Sequence, residues 1–333
     1  MKLKFVMRIV ALVVVGVLFA WILSRLDLHE LGTRLANASP VDLALMVIAW
    51  LTASLLRPVR FRFLLRVLGQ IEGVSYRTAW AALVLGAAVN AIAPMRAGDV
   101  MTAVFLRQTL GIDVHRSLTV IIADWACDFA CVATVFLGAL TFAPAPSAWI
   151  DQAVIVLVVI LLVGIVGLWI VLNSRARVLA LLDRVLARMV PRWRVRGCQV
   201  AEEILAGLAA IASWKIGLPL LLISALIWGF TWLAYWLGLH AVFMDAPAAG
   251  AAFNVAAVAL SVVVPLGPGG LGAFEAASVL ALTMFEIPLE AALAFAVIAH
   301  FLQLGSVLAF TVLAILMKQF HYRSLRVSSK AEE

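Results

Sequence analysis

The 333 residues are 65% hydrophobic and only 13% charged, with a formal net charge of +7 at pH 7. Soluble domains run at roughly 45–50% apolar and about 25% charged, so a water-soluble globule is excluded. Runs such as Val10 to Leu23 and Val154 to Leu172 are apolar on every face, which also excludes a transmembrane β-barrel, whose strands alternate in polarity.

The fold class is therefore all-α, a polytopic integral membrane protein. Reading in chain order, apolar stretches long enough to cross a bilayer fall near 5–24, 41–56, 117–142, 151–172, 217–240 and 289–317, giving about six full spans. The first follows Lys2, Lys4 and Arg8. It lacks a small-x-small cleavage signal and is expected to be a retained span. Two further apolar regions, about 79–110 and 250–286, are broken at their centres by Pro94-Met95-Arg96-Ala97-Gly98-Asp99 and by Pro265-Leu266-Gly267-Pro268-Gly269-Gly270-Leu271-Gly272. Each half is short for a spanning helix.

All but Arg25 and Arg34 of the 25 basic residues fall in clusters at the N-terminus, 57–77, 96–116, 175–215 and beyond Met317. Basic residues are retained on the cytoplasmic side, so 57–77 and 107–116 are both expected there. The region between them must then enter and return on one side, as a re-entrant hairpin. The same argument makes 250–286 a second hairpin entering from the opposite face, with both termini cytoplasmic. Two oppositely oriented, Gly/Pro-broken hairpins are inverted-repeat-like, and in transporters such broken helices form the site near the midplane. The alternative is that each broken region is a pair of short spanning helices.

Residues 174–215 are expected to form a cytoplasmic basic amphipathic segment, lying as a helix on the membrane surface, with Val178, Leu182, Val185, Leu186 and Met189 opposite Arg175, Arg177, Arg184 and Arg188. Anionic headgroups are its expected partners, and no nucleic-acid recognition motif accompanies the charge. The organisation is one membrane domain over 1–320 and a short tail, 321–333.

Ionisable groups inside apolar spans cost roughly 2.5–3.5 kcal/mol each on insertion scales, which makes them functional candidates. Asp124 and Asp128 lie one helical turn apart and need a cation, a proton or an arginine; either they lock helices together by pairing with Arg96 or Arg57, or they handle substrate or protons. At the first break Asn90, Arg96 and Asp99 cluster. A guanidinium at a hairpin tip can hold a phosphate through two parallel hydrogen bonds, with Asp99 orienting it; the alternative is an internal Arg96–Asp99 pair that only shapes the turn. At the second break Gly269 and Gly270 leave backbone N–H groups before a helix, an anion site by helix polarity, and Glu275 suits that helix end or a proton relay. His300 and Gln303 fit interhelical hydrogen bonds better than metal ligation. Trp228, Trp232 and Trp236 read as a packing or lipid-facing stripe. No phosphate-binding loop, zinc-protease or nucleophile-elbow motif is present, so the protein is expected to be no enzyme and to need no cofactor or metal.

Several of these strings together resemble a known family. Arg57-Pro58-Val59-Arg60-Phe61-Arg62-Phe63-Leu64-Leu65, then Asn90 through Asp99 with Leu106-Arg107, then Asp128, then Pro265 through Glu275, are similar to the lysylphosphatidylglycerol synthase transmembrane-region family, also called the flippase-like domain or UPF0104 family. The resemblance runs over roughly 5–317 and brings Arg57 and Arg60 into the candidate substrate-binding set. It implies a bacterial inner-membrane domain that moves a phospholipid or lipid-linked headgroup between leaflets, here as a stand-alone form without the aminoacyltransferase domain. Two departures are visible: the family often has Glu where Asp99 stands, and Glu and Arg where Asp124 and Trp125 stand. From a different class, the chain could be a lipid-binding scaffold that recruits a separate cytoplasmic synthase through the basic segment.

Overall fold

The computed structural model describes residues 28–93, 96–142, 173–211, 213–261 and 268–317, with Ile155, Val159, Val166 and Gln319. The expected spans 5–24 and 151–172, apart from those three single positions, and the tail 321–333 lie outside the described residues. The protein is an all-helical polytopic membrane protein, and among the described residues there is no strand.

The helices are α1 (Leu28–Ala36), α2 (Pro40–Val67), α3 (Tyr76–Ile92), α4 (Ala97–Leu110), α5 (Val114–Leu140), α6 (Arg175–Met189), α7 (Arg194–Ile211), α8 (Trp214–Val242), α9 (Ala248–Ser261), α10 (Ala273–Thr283) and α11 (Leu289–Leu316). Local chemistry sets several boundaries. Ser39 caps α2 by accepting from the Asp42 amide, with Pro40 in the first turn, where its missing N–H costs nothing. Ser75 caps α3 in the same way through the Thr78 amide, and Gly111 ends α4 in the left-handed conformation.

Helices α2, α5, α8 and α11 are the four long, apolar candidate spans. Helices α3, α4, α9 and α10 have 17, 14, 14 and 11 residues. At about 1.5 Å per residue none of these reaches across a hydrocarbon core of about 30 Å.

The described helices repeat one order twice: long helix, short hairpin, long helix. In the first half it is α2, α3–α4, α5; in the second it is α8, α9–α10, α11. The first helices of the two halves are antiparallel. Ser39 donates its backbone N–H to Ala241 at one end of the pair, Asp42 meets His240, and Arg60 meets Ser224 further along. A repeat whose leading helices run in opposite directions is an inverted one, as the sequence led us to expect.

Each short pair is an antiparallel hairpin. In α3–α4, Thr102 donates to the Ala82 carbonyl and the Gly98 amide donates to Asn90 Oδ1 at 2.8 Å. Gly98 lies so close to the Gly86 carbonyl that a Cβ would overlap it, so glycine is required there. The base of α9–α10 closes through the Phe253–Phe285 ring contact at 5.6 Å. The two tips meet: a Cβ on Gly269 would lie 3.4 Å from the Ala91 carbonyl oxygen.

Two expectations are corrected. The 41–56 span continues to Val67, so Arg57 and Arg60 belong to one of the long candidate spans and not to a cytoplasmic loop. A charge-based boundary failed because the neutralising carboxylates come from another helix. The 174–215 segment is not a single surface helix but an antiparallel pair, α6 and α7, turned at Pro191–Trp193 and clasped by Arg194 on Asp183 at 2.6 and 2.7 Å. These bonds hold the Asp183 carboxyl below its ordinary value. Leu205 and Leu208 of α7 are buried, and Gly207 fits against Thr119 of α5.

Candidate functional site

The two halves enclose a cavity of about 680 Å³, within the range typical of small-ligand sites. It lies at mid-height: Asp128, Trp228 and Gln303, each near the middle of its long helix, line it together with both hairpin tips. Its walls are aromatic and aliphatic, with Trp50, Trp80, Phe129 and Phe310 among them. Its charged lining residues, Arg57, Arg96, Asp99, Asp124 and Asp128, fall into two groups.

On one wall stands a four-residue charge cluster. Arg60 is 1% exposed and donates from Nε to Asp124 Oδ1 at 2.9 Å and from Nη1 to Asp128 Oδ1 at 2.8 Å. The same Nη1 reaches Ser224 Oγ at 3.1 Å. Asp128 Oδ1 also accepts from Trp228 Nε1 at 2.9 Å, and its Oδ2 meets Arg57 Nη1 only at 3.4 Å. Two guanidiniums face two carboxylates, so the cluster is neutral as a unit, and Arg60 is what allows two half-buried aspartates to sit one turn apart inside the bundle. Arg57 is different in kind. Its side chain is 35% exposed, it lines the cavity, and its guanidinium lies 5.5 Å from the Trp228 ring centroid.

At the first hairpin tip, Arg96 adopts a left-handed backbone (φ 55). It donates from Nε to Asp99 at 3.1 Å and lies over the Trp125 ring of α5 at 4.1 Å, a cation–π distance. Its side chain is 43% exposed. Asp99 and Asn90 also line the cavity, with Asn90 engaged in holding the turn through the Gly98 amide.

At the second tip, Gly269 and Gly270 have φ of 64 and 75 and line the cavity. Glu275 turns back onto its own helix start, accepting the Gly272 amide at 2.8 Å. Its other oxygen meets His300 Nδ1 at 2.7 Å. The structure thus brings eight of the ten candidate residues to the cavity wall: Arg57, Asn90, Arg96, Asp99, Asp124, Asp128, Gly269 and Gly270. Arg60 and Glu275 stand behind it. The aspartates pair with Arg60 and Arg57, and Arg96 turns to Asp99 and Trp125.

Sequence reasoning missed Trp228 as a site residue. Trp232 and Trp236 do staple α8 to the start of the second hairpin, donating to the Ala248 and Ala246 carbonyls. Trp228 instead turns inward and holds Asp128. Four-residue spacing placed the three rings on one face and gave no sign of a partner 100 positions away. Among the described residues no group of three or more His, Cys, Asp and Glu side chains is placed to hold a metal ion.

Residues 8–311 match the family described as the lysylphosphatidylglycerol synthase TM region. The chain belongs to that family. The match spans both halves of the inverted repeat and both hairpins, so the cavity is formed within the family domain. No curated protein matches the sequence. Membership makes this a membrane protein of lipid-related processes.

Proposed function

We propose that this protein is a flippase-like lipid translocator, moving a phospholipid or a lipid-linked polar headgroup between the leaflets of the bacterial inner membrane, with both termini cytoplasmic. One observation carries this reading: two partly exposed guanidiniums, Arg57 and Arg96, face a mid-height cavity, each held by a single long or solvent-open carboxylate contact. A phosphodiester can replace those contacts with charge-assisted bidentate hydrogen bonds, while Asp128 and Asp99 become free to meet a cationic part of the headgroup. Acyl chains stay in the bilayer, and the aromatic walls take the glycerol region. Moving an intact lipid requires no bond to be made or broken, so the role is non-enzymatic.

The test is leaflet exchange of headgroup-labelled phosphatidylglycerol in proteoliposomes. Wild-type protein accelerates exchange over empty liposomes, and Arg57→Gln and Arg96→Gln each reduce it at matched folded protein. Exchange that is indifferent to both substitutions would sink the reading.

A second reading draws on α6–α7. Leu181, Val185 and Met189 are exposed beside Arg184 and Arg188, a surface suited to anionic lipid or to a cytoplasmic synthase. Loss of partner capture on deleting 184–196, with leaflet exchange absent, would favour this scaffold role.

A further inference from the structure

His300 lies on α11, nearly buried, with both ring nitrogens committed. Nδ1 is 2.7 Å from Glu275 Oε1, and Nε2 is 3.0 Å from the carbonyl oxygen of Gly269. Phe274 stacks on the ring at 4.5 Å. A neutral imidazole carries one N–H and one lone pair, yet its two partners here are a carbonyl oxygen, which only accepts, and a carboxyl group. Both contacts are satisfied in just two ways: imidazolium against carboxylate, or neutral imidazole accepting from a protonated Glu275. In each the pair holds the same two protons and is neutral. Removing one leaves Glu275 charged and a single N–H for two acceptors. The short contact to the charged carboxylate keeps that N–H, and the Gly269 carbonyl then faces a nitrogen lone pair.

The bond that is lost is the one that holds the second hairpin's tip to α11. Gly269 also touches the first hairpin's tip at Ala91 and packs near Leu304, and with Gly270 it forms part of the cavity wall. Gly269, Gly270 and Gly272 all have positive φ, so this segment has the backbone freedom to swing. Other titratable groups do not share the task. The elements packed on α11 are α10, α3, α8 and α1, with α2 joined through the Trp50–Ser306 hydrogen bond; they carry Glu275, then Tyr76 and Arg77, then Lys215, Tyr235 and His240, then His29, Glu30 and Arg34, then Asp42, Arg57, Arg60, Arg62 and Arg66. Of these, Glu275 acts on the His300 ring.

We propose that Glu275 and His300 form a one-proton binding site that latches the second hairpin tip when loaded and frees it when emptied, and that this exchange couples headgroup movement to a proton gradient. The coupling rests on the translocator reading; the latch does not. Each cycle takes one proton onto His300 Nε2, facing the Gly269 carbonyl, and gives it back, with no other reactant.

Hydrogen–deuterium exchange of the peptide containing Gly269 to Glu275 tests the latch in the full-length protein. Glu275→Gln supplies an amide that donates to Nδ1 and so mimics the loaded site; dividing each rate by that variant's rate at the same pH removes the chemistry of exchange itself. Between about pH 5 and 9, where histidine-containing pairs titrate, the wild-type ratio rises by up to about tenfold per pH unit around the midpoint. In His300→Ala the ratio is high throughout, opposite to the loaded mimic, so a general folding defect does not imitate both. A wild-type ratio that stays flat overturns the proposal. Labelled-phosphatidylglycerol exchange in proteoliposomes then tests coupling: a pH step across the membrane biases exchange in wild type and not in Glu275→Gln. Exchange that ignores the step overturns the coupling while leaving translocation standing. A pH-dependent latch without any lipid exchange points instead to failure of the translocator reading.

Discussion

Arg60 and Arg57 lie close together on α2 and meet the same aspartate, yet the structure assigns them different work, and replacing each in turn separates support from function. Arg60→Met removes three hydrogen bonds and the buried cation between Asp124 and Asp128, leaving the two carboxylates with one uncharged donor, Trp228 on Asp128, and one long cation contact, Arg57 on Asp128 at 3.4 Å. Taking one partner from a buried ionic network costs about 3–5 kcal/mol. Arg57→Gln removes a long contact from a side chain that is 35% exposed, which is worth at most about 1 kcal/mol. Chemical-denaturant unfolding of purified protein in detergent, followed by tryptophan fluorescence, is expected to report a large loss for the first and a small one for the second. Adding Asp124→Asn to Arg60→Met leaves Asp128 with Arg57 as a one-to-one pair, and is expected to recover about 0.5–3 kcal/mol as a coupling energy. The reasoning fails if Arg60→Met unfolds within about 1 kcal/mol of wild type, or if the double variant is no more stable than the single one.

Other consequences follow from the same geometry. Arg57→Gln, though well folded, is expected to slow headgroup exchange in proteoliposomes, and a full rate would remove Arg57 from the binding set. Trp228→Phe keeps an aromatic ring, though a smaller one, and deletes one hydrogen bond to Asp128; a loss of at least about 1.5–3 kcal/mol is expected for a bond to a charged group, measured by the same unfolding assay. Gly98→Ala forces a methyl onto the Gly86 carbonyl and the Asn90 side chain, so a cost at or above the usual 1–3 kcal/mol of overpacking is expected, together with faster hydrogen exchange confined to α3 and α4. On the α6–α7 clasp, Asp183 is held below its ordinary value by Arg194. Its contribution is therefore fully present above the ordinary carboxylate value and is lost progressively as pH falls from there to the lowered one; hydrogen exchange of α6 against pH checks this, and Arg194→Ala loosens α6 already at neutral pH and abolishes this acid-induced step.

The sequence by itself determined what depends on near neighbours in the chain. Uninterrupted apolar length named α5, α8 and α11 within a few residues, because burying backbone in lipid demands helices of bilayer length. Glycine and proline at 94–99 and 265–272 located both hairpin breaks, and isolated Asn90, Arg96, Asp99, Asp124 and Asp128 marked the cavity because a polar group in an apolar span needs a partner. What the tertiary structure decided is who those partners are. Charge near Arg57 reads locally as a loop, and only the arrival of Asp124 and Asp128 from α5 makes it an interior. Trp228 looks like Trp232 and Trp236 until Asp128 stands against it. Glu275 and His300, 25 positions apart, become one proton site because the second hairpin folds back against α11. Hydropathy and turn chemistry are sums over adjacent residues; ion pairing, tip-to-tip contact and the placing of a proton depend on which helices pack together, and that is settled by the fold as a whole.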